Sequence, residues 1–400
     1  MSFNIQLQKM LLFLKASVVI LFVLFTQIVS AQKTSPVQPF TSVDPEPFAD
    51  NTNHWYSIYD KSNMINAMPG RPHYKPTEIT NIADNLLLFQ KSNGGWPKNY
   101  DFFAILTDKQ KDTVKAAKNL INTTFDNGNT YTQIAALAIA YTVTNIEKYK
   151  LAALKGLDFI LAAQYNNGGW PQYFPLEKKY SRLITYNDGV IKGIMQLLKD
   201  INDGKPQYAF IDNKYREKLK VAFDKGMDCI IKTQIIDNGK PTAWCQQHDE
   251  VTLKPSWARK YEAASICNKE SAELVLFLMS IDYPKKEIID AIQNAVVWFK
   301  ESKILNTVVK RVAAPKTNTP YKVSVSDKIV VMDSAAPPIW SRFYELKTHR
   351  PLFCNRDSKL VYTFAEVERE RRDGYAWYVY TPQEVLDRYP QWQKKWAPER

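Results

Sequence analysis

The chain has 400 residues, a formal net charge of +12 and 45% hydrophobic side chains. That is length and apolar content for one large domain, or one domain with an appendage, around a sizeable core. The basic balance suits a polyanionic partner, whether acidic polysaccharide, nucleic acid or anionic surface, and charge alone does not choose among them. There is no Gly-x-Ser-x-Gly elbow and no phosphate loop, which argues against serine-hydrolase and nucleotide chemistry.

Residues 1–31 read as a secretory signal. Lys9 opens a short basic region, Leu11 to Phe25 is almost wholly apolar apart from Lys15, and Val29-Ser30-Ala31 puts small residues before a cut at Gln32. A retained anchor is the alternative, but the apolar run after Lys15 is short for a membrane span. Removing the segment leaves a charge of +10 on the remaining chain. The expectation is a secreted or periplasmic monomer that no longer touches a membrane.

Residues 32–75 are rich in Pro, Thr, Asn and Asp and are expected to be irregular. From 76 to 302 the pattern is helical. Apolar stripes run through Ile79-Ala83-Leu86-Leu87, Ile134-Leu137-Ala138-Tyr141, Leu154-Leu157-Ile160-Leu161 and Ala272-Leu274-Val275-Phe277-Leu278. An internal repeat organises this region. Asn93-Gly94-Gly95-Trp96-Pro97-Lys98 recurs as Asn167-Gly168-Gly169-Trp170-Pro171-Gln172, and more weakly as Asn238-Gly239-Lys240-Pro241-Thr242-Ala243-Trp244. Each copy follows a glutamine: Gln90, Gln164 and Gln234. Asn-Gly suits a left-handed helix stop, and Pro forbids continuation. A polar turn then opens the next helix, at 124–130, 185–189 and 257–262. Three such hairpins predict a mainly α fold, an α/α toroid whose equivalent loops crowd around one end. Residues 303–400 predict a smaller α+β part completing the cleft. It has strands at 307–312, 328–331, 341–344 and 374–379, and a short helix from Pro382 to Tyr389.

Asp126 and Asp188 lie in the first two turns, one per repeat. Each reads as a helix N-cap, or, if the turns face each other, as half of a hard-cation site of oxygen ligands. Arg259 in the third turn presents a cation where the others present acids. A bridge to Glu262 or Glu270 is one reading. A base is another, and it requires surroundings that favour loss of the proton. Arg342 and Arg356 are forks suited to carboxylates. Trp96 and Trp170 read as core wedges or as sugar-stacking platforms. His248 has no Ser or Cys context for a triad. Cys229, Cys245, Cys267 and Cys354 match no zinc pattern and are either disulfide-bonded or buried thiols.

Seven pieces in order resemble pectate lyases of polysaccharide lyase family 10. They are Asn93–Asp101, Phe125–Gly128, Thr185–Asp188, Trp244–Asp249, Lys254–Glu262, Arg342–Leu346 and Glu370–Tyr378. The resemblance implies calcium-dependent β-elimination of polygalacturonate in a cleft between a helical toroid and a partly β C-terminal part. It implies Arg259 as base, Asp126 and Asp188 as calcium-associated acids, and Arg342 and Arg356 as substrate-binding residues. Asn127 and Lys260, beside Asp126 and Arg259, complete the expected substrate-binding set. Nucleic acid is not expected as a partner. Two departures stand out: Cys267-Asn268-Lys269 replaces Ser-Gly-x, and Gly189 stands where a second Asp is common. A non-catalytic pectin-binding relative and a hydrolase of acidic glycans are the competing readings. In the latter, Asp126 and Asp188 would be the two carboxylates.

Overall fold

Ten helices occur among the described residues, most of them carrying apolar side chains spaced three and four apart. They are α1 Ile79–Phe89, α2 Asp108–Ala116, α3 Tyr131–Thr144, α4 Glu147–Ala163, α5 Val190–Asn202, α6 Asn213–Thr233, α7 Asn268–Met279, α8 Lys286–Glu301, α9 Arg369–Gly374 and α10 Thr381–Trp396. The computed structural model describes residues 40–49, 68, 70–98, 100–319 and 323–398. The expected signal at 1–31 and most of the segment at 32–75 lie outside the described residues. Thr41–Arg400 is one compact unit, and its fold is mainly α.

The repeat is a welding device. Gln90, at the end of α1, donates through Nε2 to Gly94 O (2.9 Å) in its turn and to Ala152 O (2.9 Å) on α4. Gln164, ending α4, does the same to Gly168 O (3.0 Å) and to Ala222 O (2.8 Å) on α6. Gln234, ending α6, reaches Thr242 O (3.0 Å) and Ala291 O (2.9 Å) on α8. The bonds to Gly94, Gly168 and Thr242 satisfy turn carbonyls that would otherwise be orphaned in the interior, and those to Ala152, Ala222 and Ala291 fasten each turn to the next helix of the series. The tryptophan of each turn folds back and donates to the preceding helix: Trp96 to Leu86 O, Trp170 to Ile160 O, Trp244 to Ile230 O. All three rings are fully buried. The stacking-platform reading of Trp96 and Trp170 is therefore corrected: they are core wedges. Helices α1, α4, α6 and α8 form one linked series, while α3, α5 and α7 pack side by side as a second.

The third unit departs from the pattern. The turn at 257–262 does not open a helix directly. Strand Ile266–Cys267 intervenes and pairs antiparallel with Phe343–Tyr344, and α7 starts only at Asn268. Strand and helix thus share one junction with the C-terminal part. Asn268 N donates to Arg342 O (2.8 Å), its Nδ2 reaches Ser341 O (3.3 Å), and its Oδ1 accepts from Trp298 Nε1 (2.7 Å). Asn268 is helical and not among the positive-φ residues, so the loss of glycine there costs no strain and adds two side-chain bonds. The Glu270 carboxylate, fully buried one turn on, takes Arg342 Nη2.

Beyond α8 the strands at 307–318 and 323–332 form one long hairpin, longer than the two short strands expected. Trp340–Ser341 pairs with Tyr378–Val379. Of the strand expected at 374–379 only Tyr378–Val379 is extended, Gly374 instead ending helix α9, and α10 continues through Pro390 because Trp392 extends its buried face. A second small core of Tyr261, Cys267, Phe343, Phe353, Phe364 and Trp377 fills this part. All four cysteines are buried free thiols, which settles the disulfide alternative.

Two stability predictions follow from this packing. Gly168 has φ +94°, and a Cβ there would lie 1.9 Å from Lys225 O. Gly239 has φ +76° with open space around it. In urea denaturation, Gly239→Ala is expected to cost about 1 kcal/mol, and Gly168→Ala more than about 3 kcal/mol, because α4 and α6 must separate. Equal costs would refute the close-approach account. Glu270 is buried, yet Arg342 and Lys269 outweigh the burial and hold its pKa down at about 2, below its ordinary 4.5. Its contribution is complete above the unfolded value and is lost as pH falls through about 2. Glu270→Gln should lose several kcal/mol at pH 7, since Arg342 is left buried and unpaired. Its stability should also fall less steeply between pH 4.5 and 2 than that of the parent, and parallel profiles would sink the assignment.

Candidate active site

Two short turns hold the acids. Asp126–Gly128 and Asn187–Gly189 are single 3-10 turns of the same shape, with left-handed central residues Asn127 (φ 53°) and Asp188 (φ 51°) followed by Gly128 (φ 82°) and Gly189 (φ 73°). Asn and Asp are among the few non-glycine residues that adopt this conformation readily. The equivalence pairs Asp126 with Asn187 and Asn127 with Asp188, so the two acids are offset by one position rather than matched. Neither carboxylate caps a helix: α3 is preceded by Thr130 and α5 by Gly189, without side-chain cap bonds. The capping reading is corrected. Gly189 occupies a second consecutive left-handed position, which glycine takes at no steric cost, and its carbonyl accepts from Tyr131 Oη (3.2 Å). The cluster therefore has two carboxylates.

These two are in hydrogen-bond contact with each other. Burial and then the charge of Asp126 push Asp188 well above the carboxylate range, against the pull of Arg259 and Arg342. For Asp126, burial is outweighed by Lys98 and Gln172, which hold it below its ordinary value. Lys98 Nζ lies 2.6 Å from Asp126 Oδ2, and Gln172 Nε2 lies 2.8 Å from Oδ1. Two adjacent buried charges of like sign disfavour each other, which is why the two acids shift in opposite directions. Glycosidase carboxylates stand about 5 Å or more apart, so this contact is the wrong geometry for hydrolysis.

Donor chemistry here suits a hard cation. The side chains are oxygen donors, and buried amide atoms nearby lack protein partners: Gln172 Oε1, and both Oε1 and Nε2 of Gln246. Gln246 O accepts from Tyr186 N and Asn187 N, directly before Asp188. Among the described residues no group of three or more His, Cys, Asp or Glu forms a closed metal cage. The set fits calcium with a shell left open to water and an anionic ligand.

Arg259 sits at the Asp188 side. Its Nε donates to Glu262 Oε2 (2.7 Å), its Nη2 to Glu262 Oε1, and its backbone N to Glu262 Oε2 (3.2 Å). Tyr375 Oη adds a bond to Glu262 Oε1 (3.0 Å). The bridge to Glu262 weighed from sequence is thus present. The side chain keeps 36% exposure. Burial lowers its pKa, but Glu262 outweighs this and raises it well above the ordinary arginine value.

Around it the arginines gather on two tyrosines. Arg259, Arg356 and Arg371 lie 5.1, 5.2 and 4.8 Å from the Tyr261 ring centroid, and Arg342 lies 4.7 Å from that of Tyr375. Such stacking tolerates dense positive charge. Arg356 and Arg371 share Glu370, and Arg342 also reaches Asn187 Oδ1 (3.0 Å). Four guanidinium groups thus face three glutamates, 262, 270 and 370, one negative charge short of balance.

Of the residues expected from sequence, Asp126, Asp188, Arg259 and Arg342 are electrostatic neighbours. Arg356 joins through Tyr261. Asn127 is buried in the Asp126 turn, and Lys260 is exposed beside Arg259. Sequence reasoning assigned no role to Lys98, Glu370, Arg371 or Tyr375, although each lies inside a quoted motif. His248 is structural. Its Nδ1 donates to Leu253 O (2.9 Å), its Nε2 accepts from Cys245 N (3.1 Å), and burial lowers its pKa to about 4.

No curated protein matches the chain. Residues 90–386 match the family model described as pectic acid lyase. A family 10 polysaccharide lyase from Cellvibrio cellulosa superposes with a TM-score of 0.66 at 27% identity, covering 82% of this chain and 99% of that one. A mutant of the Cellvibrio cellulosa family 10 enzyme in complex with trigalacturonic acid superposes at 0.67 with 28% identity, covering 79% and 92%. The family match spans well over half of the chain and carries every residue of the acid and arginine clusters, so this chain belongs to the pectic acid lyase family and is a pectate lyase.

Proposed function

We propose that the chain is an exported enzyme that cleaves polygalacturonate by calcium-dependent β-elimination, with Arg259 as general base. The observation that carries this reading is the contact pair Asp126–Asp188 with Arg259 and Arg342 beside Asp188. A relative bound to trigalacturonic acid supports the substrate class. Export rests on the pattern of residues 1–31, and no helix of the described residues is long and apolar enough to cross a membrane. The two helix series are read as parts of an α/α toroid over 76–302, with 303–400 closing the cleft of a monomer.

Asp126 and Asp188 would hold the calcium, which when bound neutralises the uronate carboxylate and stabilises the charge that builds on it. Arg342, Arg356, Asn127 and Lys260 bind the carboxylates and hydroxyls of the sugar chain, the planar guanidinium groups being suited to carboxylates. Glu262 grips Arg259 by Nε and Nη2, which leaves Nη1 for the substrate. The neutral guanidine takes the C5 proton. Its electron pair forms the C4–C5 double bond, and the C4–O4 bond breaks, with O4 protonated from solvent. The surrounding Arg342, Arg356 and Arg371 disfavour a further positive charge at Arg259, whereas Glu262 favours it.

With polygalacturonate and calcium, the parent protein should produce ultraviolet-absorbing unsaturated ends, abolished by chelator. Arg259→Ala should lower the rate by at least about 100-fold and leave polygalacturonate binding within a few-fold. Unchanged turnover removes Arg259 as base, and reducing ends without that absorbance remove elimination. The pH profile gives a second test. Below the raised Arg259 pKa, the neutral fraction grows tenfold per pH unit, so the rate should climb into the alkaline range. Glu262→Gln removes the anion that favours the guanidinium, lowers that pKa, and should move the rising limb to lower pH. A limb that stays in place would mean that Arg259 is not the titrating group.

A further inference from the structure

A second feature opens beside the acid pair. Between Ile121–Thr123 and the loop Tyr173–Ser181 lies a cavity of about 320 Å³, lined among others by Lys98, Ile121, Asn122, Tyr173, Lys179 and Tyr180. It adjoins the pair directly, because Lys98, on its wall, is 2.6 Å from Asp126 Oδ2. Tyr180, on the same lining, feels the charges of both Arg259 and Lys98.

The loop that forms it is closed on itself and anchored. Gln172 N and Tyr173 N donate to Ser181 O (2.9 and 3.2 Å), which ties the loop's two ends together. Phe174 N donates to Thr123 O (3.3 Å), and Thr123 Oγ1 to Phe174 O (2.5 Å), which fixes it to the opposite wall. A cavity held by four such bonds exists before any ligand arrives, so ordering costs little on binding. Its chemistry is cationic and aromatic. Lys98 and Lys179 supply ammonium groups, and Tyr173 and Tyr180 supply ring faces. Glu177 is the one acid on the lining, and Ser181 Oγ (2.9 Å) and Lys179 (3.8 Å) offset it.

We propose that this cavity is a distal subsite for one uronate residue of the polysaccharide, beyond the sugars that flank the cleaved bond. Its size is at the lower end of small-molecule sites, which fits a single sugar ring. Lys98 and Lys179 take the carboxylate as point charges, and the tyrosine faces and hydroxyls meet the ring. The proposal rests on the polygalacturonate reading above. Its consequence is chain-length dependence: oligomers long enough to reach the cavity bind better than shorter ones cleaved at the same bond.

The test is kcat/KM for a ladder of oligogalacturonides with the parent, Lys179→Glu and Ile121→Trp. Both positions are exposed: the Lys179 side chain is 69% and Ile121 53% accessible. The first variant reverses the charge and the second fills the space, and neither disturbs the core. The parent should show a step of about tenfold or more at one added residue. Both variants should flatten that step, with kcat/KM for the shortest cleaved oligomer unchanged. A parent without a step, or a step that survives both substitutions, overturns the subsite. If no oligomer yields unsaturated product, the elimination reading fails instead. Calorimetric binding of the same ladder then decides the subsite by the same step and its loss.

Discussion

Two carboxylates buried in contact set the terms for everything around them. The repulsion between unit charges at contact distance rises steeply as water is excluded, so Asp126 and Asp188 persist only with a proton or a cation between them. The protein answers from two ends. Lys98 and Gln172 satisfy Asp126, while Arg259 and Arg342 act on Asp188. The two acids are therefore unlike. Asp126 is already compensated by the protein, and Asp188 is left with the unmet demand. On the proposed calcium-dependent reading, a divalent ion would meet it and bring its own affinity for a uronate carboxylate.

The helical repeat makes this contact possible. Gln90, Gln164 and Gln234 lock successive helices at one spacing, and the first two units then bring their turns together at one end. The third unit cannot supply a third equivalent turn, because Ile266–Cys267 is committed to pairing with Phe343–Tyr344. That pairing delivers Arg342, from a distant part of the chain, to the back of the acid pair. Tyr261 and Tyr375 then let four guanidinium groups approach without direct repulsion dominating. The catalytic cluster is thus a product of the place where the repeat breaks.

The sequence made the helices with strong stripes legible: α1, α3, α4 and α7 were visible from apolar spacing. Helix α2 was not, because among its nine residues only Val114 is buried. The glutamine-tryptophan turns were legible as repeats, but their bonds to the next helix depend on three-dimensional spacing that no local pattern encodes. Asp126, Asp188, Arg259 and Arg342 were legible as a set through family resemblance. Their offset was not, since Asp-Asn-Gly and Asn-Asp-Gly look alike until the backbone places one residue of each in the left-handed region. Lys98, Glu370, Arg371 and Tyr375 were present in quoted motifs but silent, because their roles come from partners 28, 14, 1 and 113 residues away.

The two departures from the family pattern now separate. Asn268 is neutral or favourable: it sits in helical backbone and ties α7 to Ser341, Arg342 and Trp298. A glycine there would forgo the side-chain bonds. Gly189 has the larger chemical effect, because it leaves Asp188 as the sole acid of its turn. With fewer fixed anions, calcium affinity must lean more on the substrate, since ligand charge count tunes such sites. On the proposed calcium-dependent reading, a chain built this way would hold its cation best with polygalacturonate already bound. The four arginines gathered on Tyr261 and Tyr375 would favour the same order of events, because the substrate brings negative charge to them.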